Sequence, residues 1–186
     1  MRSPIVNSRR AVGVTAALAA ALALALSAGP ATASHRAVAA AAPACASSSL
    51  VVWLNTQGSA AAGSAFYNLE FTNLGSASCI LKGYPGVSGV SLSGGRLGSA
   101  ASRNPQHSAV AVTLAPRATA HVVLRIVDAL NYPKSACGPV YAAGLRVYPP
   151  GQTASKLVPY PFLACSHTGS NYLSVEAAQP GQGGLN

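Results

Sequence analysis

Four cysteines, all of which follow an apolar N-terminal segment, constrain this fold more than any other feature of the sequence. They are Cys45, Cys79, Cys137 and Cys165. An even number of cysteines in an exported chain predicts disulfides, and four cysteines allow three pairings. We favour Cys45–Cys79 with Cys137–Cys165, because each bridge then crosslinks one half of the domain. By loop-closure entropy, each bridge would stabilise the fold by about 3.5–4 kcal/mol.

The same cysteines make a weak candidate for a metal site. The sequence has no C-x-x-C pair, and no histidine lies three to five residues from another. Structural zinc sites use such short ligand spacings. We therefore expect no bound metal and no cofactor.

The N-terminal segment has the layout of a secretory signal peptide. Three arginines within the first ten residues precede an Ala/Leu/Val run over residues 11–28, and Ala-Thr-Ala follows at residues 31–33. A basic start, an apolar middle and an Ala-x-Ala end favour cleavage after Ala33. We therefore predict a secreted, extracellular protein that keeps no transmembrane span. Two alternatives are retention of the apolar run as a membrane anchor, and a lipid on Cys45.

Charge argues against nucleic acid as a partner. Cleavage after Ala33 would remove three arginines and lower the net charge from +9 to +6. No two of the nine remaining Lys and Arg residues are adjacent, so the sequence lacks the basic cluster typical of nucleic-acid binding. The alternatives are an ordinary solvated basic surface and weak attraction to anionic cell-envelope polymers.

The rest of the chain consists of short β-type runs between Gly, Ser and Pro breaks, with no helical periodicity. We predict an all-β fold, an immunoglobulin-like two-sheet antiparallel sandwich with two disulfides, preceded by a helical signal peptide. The predicted organisation is a signal peptide over residues 1–33, a flexible Ala-rich linker over 34–44, the sandwich over 45–178 and a flexible tail over 179–186.

Individual strands follow from alternation of apolar and polar residues. In residues 66–72 the apolar set points one way and Asn68, Glu70 and Thr72 point the other, which predicts a half-buried strand with a solvated Glu70. We expect one hairpin between residues 107–114 and 119–127.

A second hairpin is predicted between residues 141–148 and 156–162. Prolines in its second strand indicate an edge position or an irregular strand, because proline cannot donate to the ladder.

One spaced motif carries a family resemblance. Residues 67–75 read Tyr-Asn-Leu-Glu-Phe-Thr-Asn-Leu-Gly, residues 79–87 read Cys-Ile-Leu-Lys-Gly-Tyr-Pro-Gly-Val, and residues 112–116 read Val-Thr-Leu-Ala-Pro. Over residues 45–178 the chain resembles the secreted actinobacterial domain of unknown function 4232. The resemblance implies an exported β-sandwich, sometimes lipid-anchored, with no known catalytic residues. Arg117 stands where members often have Gly, which affects the type of turn.

The centre of that motif has a structural interpretation. We predict that Gly83, Tyr84, Pro85 and Gly86 form a corner of the fold, with Pro85 and Gly86 at the centre of a type II turn. Gly86 would then take the positive φ that only glycine adopts cheaply.

Catalytic patterns are missing from the sequence. It has no G-x-S-x-G motif, and its three acidic residues are Glu70, Asp128 and Glu176. On one strand, His121 and Asp128 would lie about 23 Å apart, too far to form a catalytic pair. We therefore expect a protein that is not an enzyme.

Aromatic side chains near predicted loops and edges are the remaining candidates for a site. Such rings can form a platform for a sugar or a peptide, or can simply cover the ends of the sandwich. The sequence therefore predicts a non-enzymatic binding or interaction module at the cell envelope. The alternatives are a hydrolase with a non-standard Ser/His site and a purely structural envelope protein. The candidate binding residues are Tyr132, Tyr148, Tyr160 and Phe162.

Overall fold

The computed structural model describes residues 41–184 of the 186-residue chain. The predicted signal peptide, most of the predicted linker and the last two residues lie outside this range. Within the range, no helix has the length and hydropathy that a membrane span requires. Residues 41–184 contain twelve strands and one short α-helix, α1 (Lys134–Cys137). The strands are β1 (Leu50–Ala61), β2 (Ser64–Asn73), β3 (Cys79–Lys82), β4 (Gly86–Val90), β5 (Arg96–Leu97), β6 (Ser102–Arg103), β7 (Ala111–Leu114), β8 (Thr119–Val127), β9 (Pro139–Tyr148), β10 (Lys156–Cys165), β11 (Leu173–Val175) and β12 (Gln179–Pro180).

The strands form two large sheets and one small one. The larger sheet has the order β1-β2-β8-β11-β6, with β12 also paired to β8; the second has the order β10-β9-β4-β5. Strands β3 and β7 make a separate pair. Neighbouring strands are antiparallel except β11 and β6, which run parallel. The predicted all-β class with two disulfides is confirmed.

One apolar core joins the two large sheets. Leu69 and Leu124 enter it from the larger sheet, while Leu145 and Val147 enter it from the second sheet, and all four are fully buried. Alternation explains their placement, because successive side chains of a strand point to opposite faces. Each such side chain contributes about 1.5–3 kcal/mol when it leaves water.

Both predicted disulfides are present. Cys45 joins Cys79 over a sequence separation of 34, and Cys137 joins Cys165 over a separation of 28. All four cysteines are buried, and residues 41–184 contain no free cysteine.

The prediction of a hairpin between residues 107–114 and 119–127 is wrong. Strand β7 pairs with β3, whereas β8 pairs with β2, β11 and β12. The turn between β7 and β8 carries the chain from the small sheet into the larger one. Arg117 in this turn has a φ of 68°, and its N–H donates to the Asn73 carbonyl at 2.7 Å. That bond ties the turn to the end of β2 instead of closing a hairpin.

The second predicted hairpin is present. Strands β9 and β10 pair from Lys156↔Val147 to Cys165↔Pro139, and β10 is an edge strand. The register shifts between Pro159 and Phe162. This irregularity is where proline interrupts the ladder, as the sequence predicts.

Residues at both ends of the described chain pair with strands, whereas the sequence predicts a flexible linker and a flexible tail there. Ala44 forms a bridge with Ile80 beside the Cys45–Cys79 disulfide. At the other end, β12 pairs with β8, and the residues after it cross to β2. The tail is therefore fixed through Gly183, by the pairing of β12 with β8 and by a hydrogen bond from the Gly183 N–H to the Glu70 carboxylate, which composition does not reveal.

Candidate functional site

The main candidate site is a cleft of about 460 Å³ beside the turn between β1 and β2. Drug-sized ligands occupy pockets of about 300–1,000 Å³, so this one can hold a small molecule or a short polymer segment. Its walls come from the ends of β1, β2 and β8 and from the middle of β10. The lining residues are Ala60, Ala61, Ala62, Gly63, Ser64, Ala65, Tyr67, Ile126, Val127, Asp128, Tyr160, Phe162 and Leu163.

Three aromatic rings form one wall of the cleft. Tyr67 and Tyr160 meet edge to face with centroids 5.1 Å apart, and Tyr160 stacks on Phe162 at 6.1 Å. The row continues to the fully buried Tyr172, 6.4 Å from Phe162. Rings in these geometries attract one another beyond the effect of area burial, by about 0.5–1.5 kcal/mol per pair. The wall is therefore held in place before any ligand arrives.

A hydrogen bond fixes the two tyrosines relative to each other. The Tyr160 hydroxyl donates to the Tyr67 hydroxyl. Burial and this bond raise the pKa of Tyr160 above its ordinary value, so the hydroxyl stays neutral at physiological pH. The Tyr67 hydroxyl keeps a hydrogen to donate and is the polar tip of an otherwise apolar wall.

The irregular part of β10 supplies two of these rings. Tyr160 lies between Pro159 and Pro161, and Phe162 follows Pro161. Because the register shift falls here, the pairing of β10 with β9 is interrupted where the rings are presented. The prolines thus place Tyr160 and Phe162 on an edge strand, at the point where the pairing of β10 with β9 is interrupted.

The polar groups of the cleft already have partners. Ser64 Oγ accepts from Arg125 Nε at 3.0 Å, and Asp128 Oδ1 accepts from the Leu130 N–H at 2.9 Å. Asp128 is the N-cap of a short 3-10 turn. No histidine lies among the lining residues of the described cleft. This arrangement offers a contact surface with one negative charge at its rim.

The structure brings together two of the four predicted binding residues. Tyr160 and Phe162 share the cleft, whereas Tyr132 packs partly against the core outside it. Tyr148 lines a different depression, on the second sheet. Tyr67 completes the aromatic wall, and sequence analysis missed it because its partner Tyr160 is 93 residues away.

The described histidines are engaged elsewhere. His107 Nδ1 lies 2.7 Å from Glu176 Oε2, His121 Nδ1 lies 2.9 Å from the Gly181 carbonyl, and His167 Nδ1 lies 3.1 Å from the Ser135 carbonyl. Within residues 41–184 no serine hydroxyl is hydrogen-bonded to any of these rings. The same range holds no group of three side chains suited to a metal ion.

The corner over residues 83–86 differs from the prediction in one respect. Gly83, not Gly86, has the positive φ, of 101°, and Gly86 instead begins β4 opposite Tyr148. A type II turn centred on Pro85 and Gly86 is therefore wrong. Tyr84 lies under the Arg103 guanidinium, 5.5 Å from the ring centroid, which ties this corner to β6.

The prediction of a solvated Glu70 is also wrong. Glu70 is 0% exposed, and its Oε1 accepts from the Gly183 N–H at 3.0 Å. Its Oε2 and the neighbouring Asn68 Nδ2 have no partner within residues 41–184. Burial raises the pKa of Glu70, while the Gly183 bond and nearby His121 oppose the rise. The chain after β12 covers this face of β2. The alternation of apolar and polar residues along β2 therefore does not predict the burial of Glu70.

Comparison with known proteins supplies a family. The model of a family described as "Domain of unknown function (DUF4232)" matches residues 45–179, most of the chain. No curated protein and no solved structure matches the chain.

Proposed function

Since the chain belongs to the DUF4232 family, whose description assigns no activity, we propose a function from the geometry of this chain. The domain is a secreted, non-enzymatic binding module that acts at the cell envelope. It holds a ring-bearing ligand, a sugar or a proline-containing peptide, against Tyr67, Tyr160 and Phe162. The observation that carries this proposal is the preformed aromatic wall of an open cleft.

The chemistry of the cleft favours reversible contact. Flat rings gain from stacking on the apolar face of a sugar or on a proline ring, and the free hydrogen of a tyrosine hydroxyl can bond a ligand oxygen. Catalysis needs a nucleophile beside a base that a third group orients. Ser64, the serine of the cleft, has its hydroxyl bonded to Arg125. This engagement supports binding over hydrolysis.

Export is supported by the signal-like first 33 residues and by the two disulfides, since disulfides persist mainly outside the cytosol. Mass spectrometry of the exported protein with and without reductant would test this part. We expect a chain that starts at Ser34, carries no lipid on Cys45 and has no free thiol. A retained N-terminus or a lipid would replace secretion with anchoring.

Binding is tested with Tyr160→Ala against Tyr141→Ala. Tyr141 is a matched control because it is 76% exposed and lies outside the cleft. Isothermal titration with soluble peptidoglycan fragments and with proline-rich peptides should show saturable binding of one of these two ligand classes. Tyr160→Ala should weaken that binding at least tenfold, whereas Tyr141→Ala should not. Absence of any saturable ligand would favour the structural envelope protein. Conversion of a fragment by the purified protein would favour the hydrolase.

A further inference from the structure

A second depression, on the outer face of the sheet β10-β9-β4-β5, gathers two arginines around an exposed tyrosine. It measures about 360 Å³ and shares no lining residue with the aromatic cleft. Its lining residues are Gly86, Val87, Ser88, Arg96, Ala100, Arg146 and Tyr148.

Strand register explains why these side chains meet. Ser88 pairs with Arg146 and Gly86 pairs with Tyr148, so all four lie on one face of the sheet. Gly86 has no side chain, and a Cβ there would lie 3.5 Å from the Tyr148 Cβ. The ring of Tyr148 is therefore not covered by a side chain at this position of β4, and it lines the same depression as Arg146.

Within residues 41–184, neither arginine has an acidic partner. The chain has three acidic side chains: Glu70 is buried beside Gly183, Asp128 caps a 3-10 turn, and Glu176 is paired with His107. All three therefore lie outside this depression. Two cations that line one depression repel each other unless an anion lies between them.

The guanidiniums also have unused donors. Arg146 Nη2 donates to the Gly94 carbonyl at 2.8 Å, which leaves its other N–H groups available, and Arg96 makes no side-chain hydrogen bond within residues 41–184. A guanidinium has five donors in a planar fork that matches the two oxygens of a carboxylate or phosphate. The bond to Gly94 holds Arg146 in place, which lowers the entropy lost on binding.

We propose that this depression, the Arg96/Arg146 site, binds an acidic saccharide. Its carboxylate or phosphate bonds the two guanidiniums, and its sugar ring lies on Tyr148. The site would provide a specific location for the attraction to anionic envelope polymers that the positive charge of the chain suggests. It does not depend on the aromatic cleft.

Isothermal titration of the disulfide-intact protein tests this proposal, at 50 mM and at 150 mM salt. The probes are a galacturonic acid tetramer, glucose 6-phosphate, inorganic phosphate and a neutral galactose tetramer. We expect saturable binding of at least one acidic sugar, at least tenfold tighter than the neutral tetramer and inorganic phosphate. The tighter acidic sugar identifies whether carboxylate or phosphate is preferred.

Variants separate this site from diffuse positive charge. Arg96→Gln and Arg146→Gln should each weaken the acidic sugar at least tenfold, whereas Arg117→Gln, an exposed arginine outside the site, should change affinity less than twofold. The Arg96 side chain makes no hydrogen bond within residues 41–184, so Arg96→Gln should leave the fold intact, which thermal unfolding of the variant checks. Tyr148→Phe should keep the affinity and Tyr148→Ala should lose it.

Three results would overturn the proposal: no saturable binding of either acidic sugar, equal affinity for the neutral tetramer, or an equal loss in Arg117→Gln. Tyr160→Ala should leave acidic-sugar binding unchanged. This last comparison keeps a failure here distinct from a failure of the aromatic cleft.

Discussion

Glu70 in β2 accepts a hydrogen bond from the backbone N–H of Gly183, 113 residues later in the chain, at 3.0 Å. The bond fastens the C-terminal segment across the face of β2 and β8. It also buries a carboxyl group whose other oxygen has no partner within residues 41–184. The free energy of ionising Glu70 therefore depends on whether the C-terminal segment stays bound to β2.

The buried carboxyl group predicts a specific pH dependence. Burial raises the folded-state pKa of Glu70 above its ordinary value of 4.5, so the folded state holds its proton to higher pH than the unfolded state. The free energy of unfolding must then fall as pH rises from 4.5 through the folded pKa. Glu70→Gln should abolish the part of this decrease in the free energy of unfolding that is due to ionisation of Glu70. Thermal unfolding between pH 4 and pH 8 measures it, with the exposed Asp128→Asn as control. An unchanged profile in Glu70→Gln would contradict the assignment.

Two neighbouring glycines provide a matched test of the tail. A Cβ on Gly183 would lie 2.2 Å from Asn68 Cγ, whereas a Cβ on Gly184 meets nothing within 4 Å. Because Asn68 is buried and cannot move freely, Gly183→Ala should cost about 1–3 kcal/mol or release the tail. Gly184→Ala should change neither. Hydrogen exchange at Gly181, whose N–H donates to the Thr119 carbonyl, reports release directly. Equal protection in both variants would show that the tail does not need this contact.

Some of the fold follows from the sequence because the information is local. The prolines in residues 156–162 predict an edge strand, since each removes a ladder donor. Asn73 and Gly75 are residue types typical of turns, and they follow β2 directly, where the Gly75 N–H donates to Asn73 Oδ1 at 2.9 Å. The disulfide pairing is less local: four cysteines allow three pairings, and the observed one is favoured because each bridge crosslinks one half of the domain.

The rest depends on contacts between distant segments. Alternation places Glu70 on one face of β2, but it cannot indicate that residues after β12 will cover that face. Strand β7 shows the same limit, since its apolar face would suit β8 as well as its actual partner β3. The aromatic cleft needs Tyr67 beside Tyr160, and no local pattern joins them. The candidate site is thus less predictable than the strands that build it.

Arg117 is a site where stability can be gained. Its φ of 68° is a left-handed conformation that costs a non-glycine residue about 1–2 kcal/mol. Arg117→Gly removes this strain, and the greater flexibility of the unfolded chain offsets about 0.4–1 kcal/mol of the gain. The midpoints of these two ranges differ by about 0.8 kcal/mol, which is the expected net increase in the free energy of unfolding. Urea denaturation measures it. Arg117→Ala keeps the strained backbone and should show no gain; an equal gain there would assign the effect to the side chain.

The two disulfides should contribute similar amounts of stability. Their sequence separations are 34 and 28, so the loop-closure formula gives about 3.5–4 kcal/mol for each. Replacing Cys45 and Cys79 together with Ala, or Cys137 and Cys165 together with Ala, should lower the free energy of unfolding by that amount. Urea denaturation of each double variant is compared with the oxidised parent. A loss below about 1 kcal/mol would mean that the unfolded chain is already compact in that segment.

Tyr172 joins the two large sheets through one hydroxyl group. Its side chain is 0% exposed, and its hydroxyl donates to the Leu97 carbonyl at 3.0 Å. Tyr172→Phe keeps the ring and removes the hydrogen bond from the hydroxyl to that carbonyl, which should cost about 1–2 kcal/mol. Urea denaturation at neutral pH measures the loss.

The same hydroxyl group predicts behaviour at alkaline pH. Burial raises the pKa of Tyr172 to about 12 from its ordinary value of 10.0, so the unfolded chain loses this proton first. The free energy of unfolding should then fall as pH rises from 10 towards 12. Tyr172→Phe should reduce the slope over this interval, whereas Tyr141→Phe, at an exposed position, should leave it as it is. If the two variants show the same slope, Tyr172 ionises as freely in the folded protein as in the unfolded one, and its hydroxyl is not held between the sheets.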